Sequence, residues 1–200
     1  MVDRRATGRT ESAKTFWVIA IGASAGGLQG LLKLLAQLHL IPNCCLLIVV
    51  HMHPRNRTFL PQILGRLGGW KVKLAEQNEA IQTGTAYVAP PDFHLVLSGD
   101  HLQLSSAEPV RMQRPSVDVL FASVAKERGA NAIGVLLSGA GRDGSVGLRE
   151  MKTAGGSTIV QDPADAMFPS MPEHGIQTGC ADFVMPAQSM AQQLSILCQS

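Results

Sequence analysis

Apolar residues occupy every position from Phe16 to Ile21, and beyond a short glycine-rich turn Leu28, Leu31, Leu32 and Leu35 recur at i, i+3, i+4 and i+7. The first run predicts a strand buried on both faces, and the second predicts an amphipathic helix over about 26–38. Cys45 to Val50 is again apolar throughout, as a central parallel strand would be. Strand, helix and strand form a right-handed βαβ unit. A further helix is expected near 58–67 and an alternating edge strand over Lys71–Ala75. From Thr85 to Ser105 the pattern shortens to the runs Ala86–Ala89, Phe93–Leu97 and Leu102–Leu104. Pro90-Pro91 and Gly99-Asp100 punctuate them, which predicts an antiparallel excursion. Val117, Leu120, Phe121 and Val124 mark a helix that begins near Pro115-Ser116, with Ser116 as a candidate N-cap. Next come a buried strand over Ala132–Leu137, a helix ending at Gly155-Gly156, strands at Ser157–Val160 and Phe183–Met185, and a last helix carrying Met190, Leu194 and Leu197. The class is α/β, a three-layer αβα arrangement around a mainly parallel sheet.

The turn after the first strand, Gly22-Ala23-Ser24-Ala25-Gly26-Gly27, places a serine between a strand end and a helix start. Such a turn can display an activated hydroxyl beside free helix N–H groups. It fits equally a structural turn with Ser24 as N-cap. In open α/β sheets ligands bind beyond the carboxyl ends of parallel strands, so the polar residues emerging there are the ones to weigh. Ser24 follows the first strand, His51 follows the second directly, and Asp143 lies in the loop Ser138–Gly144 after the strand ending near Leu137. Hydroxyl, imidazole and carboxylate are the parts of acyl-transfer chemistry, because a serine hydroxyl alone is too weak a nucleophile at neutral pH. His53 on the same loop is the rival imidazole and Asp162 the rival carboxylate, while Asp143 could serve only as a helix N-cap. The chain order Ser, His, Asp differs from the Ser, Asp, His order of α/β-hydrolases. Dinucleotide binding is disfavoured because the turn is not G-x-G-x-x-G.

Composition narrows the field further. With 200 residues, 46% hydrophobic and 16% charged, the chain suits one well-buried domain. The polar stretch Met1–Lys14 carries Arg4, Arg5, Arg9, Lys14, Asp3 and Glu11, which accounts for the formal charge of +2 and leaves the body neutral. The body shows no basic stripe with interleaved aromatics, so no nucleic-acid partner is expected. The stretch also lacks an apolar signal core, and no run is long enough for a membrane span, so the expected setting is cytoplasmic without membrane insertion. Cysteines 44, 45, 180 and 198 lack C-x-x-C spacing and are expected as buried free thiols. His39, His94, His101 and His174 are scattered without metal-ligand spacing and are expected at surface or packing positions; no metal or other cofactor is expected.

Ile19–Gly27, Val50-His51-Met52, Tyr87-Val88-Ala89-Pro90, Arg114–Phe121 and Gly134–Gly144 follow one another in the order and approximate spacing of the chemotaxis protein-glutamate methylesterases. The chain thus resembles the CheB family over about residues 16–197. Gln161-Asp162-Pro163 and Met171-Pro172 are similar to that family's C-terminal third. The resemblance implies a doubly wound α/β domain with a β-hairpin addition. It also implies hydrolysis of glutamate γ-methyl esters on the cytoplasmic helices of methyl-accepting chemotaxis receptors, with release of methanol and, in many members, deamidation of receptor glutamines. Position by position, it places the nucleophile on Ser24, the base on His51 and the carboxylate on Asp143. Oxyanion donors are expected among backbone N–H groups at Ala25 or Ala140, whose side chains depart from the Thr and Met frequent in the family.

Typical family members carry an N-terminal receiver domain, which fourteen polar residues cannot form. The expected organisation is a polar disordered tail over 1–14 and a methylesterase catalytic domain over 15–200. Such a chain is constitutively active, controlled by a separate regulatory protein, or a fragment. The alternatives to a receptor methylesterase are a non-catalytic receptor-binding adaptor with the same fold, an esterase of a related receptor-array pathway, and a nucleotide-binding module.

Overall fold

Seven parallel strands form the spine of the molecule in the computed structural model, which describes residues 16–51 and 58–199. The tail expected over 1–14 and the rival His53 lie outside the described residues. In chain order the strands are β1 (Trp17–Ala23), β2 (Cys44–Val50), β3 (Lys71–Leu74), β4 (Glu79–Ala80), β5 (Thr85–Val88), β6 (His94–Ser98), β7 (His101–Ser105), β8 (Ala132–Leu136), β9 (Ser157–Gln161) and β10 (Phe183–Met185). The helices are α1 (Gly27–Gln37), α2 (Leu60–Leu64), α3 (Val117–Arg128), α4 (Ser145–Thr153), α5 (Ser170–Gln177) and α6 (Met190–Leu197). The main sheet runs β10-β9-β8-β1-β2-β5-β3, and β4, β7 and β6 make a small antiparallel sheet.

Alternation along β1 explains the layers. Ile19, Ile21 and Ala23 face one core with Leu31, Leu34 and Leu35 of α1, Leu60 and Leu64 of α2 and Leu194 of α6. Val18 and Ala20 face a second core with Leu120 and Phe121 of α3, Leu148 of α4 and Met171 of α5. Leu95, Leu97 and Leu102 of the small sheet close that second core. Both faces of the sheet are therefore covered, which is why β1 and β2 read as near-continuous apolar runs. The chain winds outward from β1 toward β3 and later returns to add β8, β9 and β10 on the other side, so β1 and β8 flank the switch point where such folds open a crevice.

Most expected elements occur where the pattern put them, including the edge position of β3 and the N-cap at Ser116, whose side chain accepts from Val119 N. Three elements depart from the expected pattern. Ala86–Val88 belongs not to the antiparallel excursion but to β5, a parallel strand between β2 and β3. Only β6 and β7, joined across Gly99-Asp100, form the hairpin, with β4 added along β7. α5 was not anticipated, and α2 is much shorter than the helix expected over 58–67. All four cysteines are free, but only Cys44 and Cys45 are buried, where burial pushes the Cys45 thiol up to about 12; Cys180 and Cys198 are partly exposed. Among the described residues no helix is long and apolar enough to cross a membrane.

The β1–α1 turn is packed against the loop after β8. A Cβ on Gly27 would lie 2.6 Å from Ser138 O and 2.7 Å from the Ala23 Cβ, and the first of these is backbone that cannot swing aside. Gly27→Ala is expected to lower the unfolding free energy by about 1–3 kcal/mol in urea denaturation. Gln29→Ala, exposed on the same helix, should stay within about 0.5 kcal/mol of the parent.

Candidate functional site

Parallel pairing of β1 with β2 sets Ala23 opposite Val50, so the next residues on the two strands, Ser24 and His51, leave the sheet side by side. His51 N donates to Ala23 O at 3.0 Å, and Ser24 N donates to Ser138 O at 3.0 Å, which fixes the backbone on both flanks of the serine. Ala23 and Val50 face the α1 core, so alternation turns the two following side chains toward the α3 side.

Asp143 meets them from that side. Its carboxylate is 3% exposed and accepts five hydrogen bonds. Oδ2 takes His51 Nε2–H at 2.8 Å and Val117 N–H at 2.7 Å. Oδ1 takes Ser116 Oγ–H at 2.9 Å, Asp118 N–H at 2.9 Å and Gly144 N–H at 3.0 Å. Val117 and Asp118 open α3, so the carboxylate sits on that helix's unsatisfied N–H groups and its positive dipole end. The N-cap of α4 is Gly144, so Asp143 is not the cap of its own following helix.

An ionised carboxylate can only accept, so the His51 proton on this side resides on Nε2. That leaves Nδ1 as the lone-pair nitrogen. It is buried and has no hydrogen-bond partner among the described residues, Ser24 Oγ included. The structure therefore joins His51 to Asp143 by a direct hydrogen bond and brings Ser24 beside them by strand register without a hydroxyl–imidazole bond. Apo sites commonly leave that contact open until substrate arrives. The rival Asp162 instead accepts from Ala164 N in a local turn.

The loop after β8 is tied to the serine turn by residues that sequence reasoning passed over. Ser138 Oγ donates to Ala25 O at 3.1 Å and accepts from Phe168 N at 3.0 Å, while Ser138 N donates to the buried Gln161 Oε1 at 2.8 Å. Gln161 is held in turn by donating to Asp165 Oδ2 at 2.7 Å. His94, buried at 2% exposure, accepts from Ser116 N at 3.2 Å through Nδ1 and donates from Nε2 to Glu108 O, which steadies the start of α3. The helix signal at Ser116 was available in the sequence; its link to a carboxylate 27 positions later was not. Ala25 and Ala140 are exposed, and their N–H groups donate to no acceptor among the described residues.

A cleft of about 380 Å3 opens over the pair, walled by His51, Asp143, Ala140, Arg111, Met112 and Arg142 among others. Arg111 and Met112 form the tip of a tight turn closed by Val110 and Gln113, with φ of 50° and 64°. Positive φ is uncommon for such side chains, and strain of this kind gathers at functional sites. No group of three or more His, Cys, Asp or Glu among the described residues could hold a metal ion.

Burial pushes the Asp143 carboxyl upward. The His51 hydrogen bond, the Asp118 and Val117 N–H groups and electrostatic attraction to the His51 ring outweigh it and hold the group below its ordinary range. Asp118, whose Oδ1 accepts from Gly147 N at 2.8 Å and whose Oδ2 accepts from Arg111 at 3.2 Å, shifts the other way, because burial and the neighbouring Asp143 charge outweigh those partners.

The family profile for CheB methylesterase matches residues 19–194. A protein-glutamate methylesterase/protein-glutamine glutaminase of Photorhabdus laumondii is 44% identical over 181 residues, covering 88% of this chain and 51% of its own length. The protein of the same description from Nitrosomonas europaea is 39% identical over 191 residues, covering 93% and 53%. The chain thus spans about half the length of the curated relatives it matches. The crystal structure of the Thermotoga maritima CheB methylesterase catalytic domain superposes with a TM-score of 0.85 at 30% identity, over 91% of this chain and 98% of that one.

A depressed folded-state carboxyl contributes stability above the unfolded value, about pH 4, and loses it as pH falls through the folded value. Asp143→Asn, which turns an acceptor-only group into one with two N–H donors facing donors, is expected to cost about 3–5 kcal/mol at pH 7. The gap between parent and variant should narrow as pH falls toward 2, read from denaturant midpoints at pH 7, 5 and 3.

Proposed function

The chain belongs to the CheB methylesterase family, and from that membership we propose that it hydrolyses glutamate γ-methyl esters on protein substrates through Ser24, His51 and Asp143. The observation that carries the reading is the buried His51–Asp143 hydrogen bond, with Nδ1 unpartnered among the described residues and His51 set beside Ser24 by strand register. In this arrangement Nδ1 is the base, the reverse of the ring orientation in chymotrypsin-type triads. Ser24 Oγ attacks the ester carbonyl carbon as Nδ1 takes the hydroxyl proton. Asp143, through Nε2–H, holds the tautomer and stabilises the imidazolium. The tetrahedral oxyanion points to the open Ala25 and Ala140 N–H groups. Nδ1–H then protonates the departing methoxide, and methanol leaves. Water, deprotonated by Nδ1, attacks the acyl-serine; the ester bond breaks as Nδ1–H returns its proton to Ser24 Oγ, and the glutamic acid formed ionises to the carboxylate in solvent.

The same steps applied to a primary amide release ammonia, so deamidation of protein glutamines falls within reach of the site. The relatives' description names both activities. The substrate we assign is the cytoplasmic methyl-accepting helix of chemotaxis receptors, which sets the enzyme in the cytoplasm.

Methanol release from a methylated receptor cytoplasmic fragment tests the reading. Ser24→Ala and His51→Ala should each lower the rate by about 10^4-fold or more. Asp162→Ala should leave it within about twofold, because its carboxylate serves only a local turn. An active Ser24→Ala protein sinks the mechanism. Receptor binding without methanol release by the parent would instead mark the chain as an adaptor.

A further inference from the structure

Beside the cleft over His51 lies a second one of about 320 Å3, lined by Arg111, Arg142, Arg149, Ser145, His174 and Thr178 among others, with no acidic side chain in its wall. Arg111 and Arg142 line both clefts, so the two adjoin. Three guanidinium groups around one depression repel one another unless an anion lies among them. Arg111 is paired with Asp118, but Arg142 and Arg149 have no carboxylate partner among the described residues.

One further observation points to a ligand. Ser145, the first residue of α4, is 8% exposed, and its Oγ is buried without a hydrogen-bond partner among the described residues. A buried hydroxyl left unpaired is costly, and an incoming oxyanion would satisfy it. Planar guanidinium groups with a hydroxyl beside them are a donor set that suits carboxylate oxygens.

We propose that this cleft binds a side-chain carboxylate of the same protein substrate whose ester reaches Ser24, so that the enzyme selects methyl esters neighboured by free acidic side chains. The identity of the ligand rests on the methylesterase reading. That reaction itself turns each neutral ester into a carboxylate, so a substrate with several modifiable glutamates becomes more negative at every turnover. A site for the carboxylate beside a site for the ester would then favour the next hydrolysis on the same segment.

The test uses two helical peptides, each with one glutamate methyl ester, flanked at one helical turn by glutamates in the first and by glutamines in the second. Methanol release should give the parent a KM lower for the glutamate peptide by about tenfold, and Arg149→Gln should remove most of that difference while kcat stays within about twofold. Ser145→Ala should raise KM for the glutamate peptide by a smaller factor. Equal KM values for the two peptides in the parent, or an equal shift on both in Arg149→Gln, overturn the proposal.

A second measurement separates this from the methylesterase reading. Binding of the unesterified glutamate peptide to Ser24→Ala protein, followed by fluorescence anisotropy, needs no hydrolysis. A dissociation constant raised about tenfold by the added Arg149→Gln supports the site even if no methanol is ever released. An unchanged constant refutes it. Inorganic phosphate that binds the cleft while the two peptides bind alike shows an anion site that does not read substrate, and the proposal fails.

Discussion

Moving a carboxylate from water to a protein interior costs several kcal/mol unless donors replace the lost hydration. Asp143 meets that condition with five donors drawn from a histidine, an N-cap serine, two helix-opening amides and its own neighbour. No part of this set can move alone. If α3 shifts, the carboxylate loses three of its partners; if the carboxylate protonates, α3 loses the anion at its N-terminus and His51 loses the acceptor that fixes its tautomer. The electrostatics of one side chain thus couple the packing of a major helix to the proton position on the imidazole.

The remainder of the site is arranged by the sheet. Register places Ser24 and His51 side by side without a hydrogen bond between their side chains, and β8 on the other flank delivers the loop that carries Ser138, Ala140 and Asp143. Ser138 and Gln161 then link three successive strand ends, those of β1, β8 and β9, through hydrogen bonds. Ser24 and His51 rest on strand ends, and the loop after β8 is tied down by the hydrogen bonds of Ser138 and Asp143. Such support allows donor positions to be set before substrate binds.

Much of this was legible from the residues because it depends on local pattern. Apolar runs such as Cys44–Val50 report burial on both faces, the leucine spacing in α1 reports one buried stripe, and Gly99-Asp100 reports a tight hairpin turn. What escaped depends on partners distant in the chain. Ala86–Val88 alternates between turn residues just as a hairpin strand does, and nothing local reveals that its neighbours are β2 and β3. α5 is eight residues with Pro172 and Gly175 inside it, so its propensity is poor; it stands because Met171 is buried in the core and Gly139 and Met171 share a backbone hydrogen bond. Ser24, His51 and Asp143 could be picked out as strand-end residues, yet the five donors around Asp143 could not. The arginines at 111, 142 and 149 form no stripe in the sequence, and the body is neutral on average, so their convergence on one cleft is a product of folding alone.

The separation of the paired residues along the chain has its own consequence. His51 and Asp143 lie 92 positions apart, and the loop bearing Asp143 is fastened by Gln161, 23 positions beyond Ser138. During synthesis the serine and the histidine leave the ribosome long before the carboxylate and its fastening. The imidazole of such a nascent chain has no acceptor to fix its proton. Closing so long a loop carries an entropic cost that only the assembled sheet offsets. The His51–Asp143 pair is thereby complete only once the last third of the domain has been synthesised and docked.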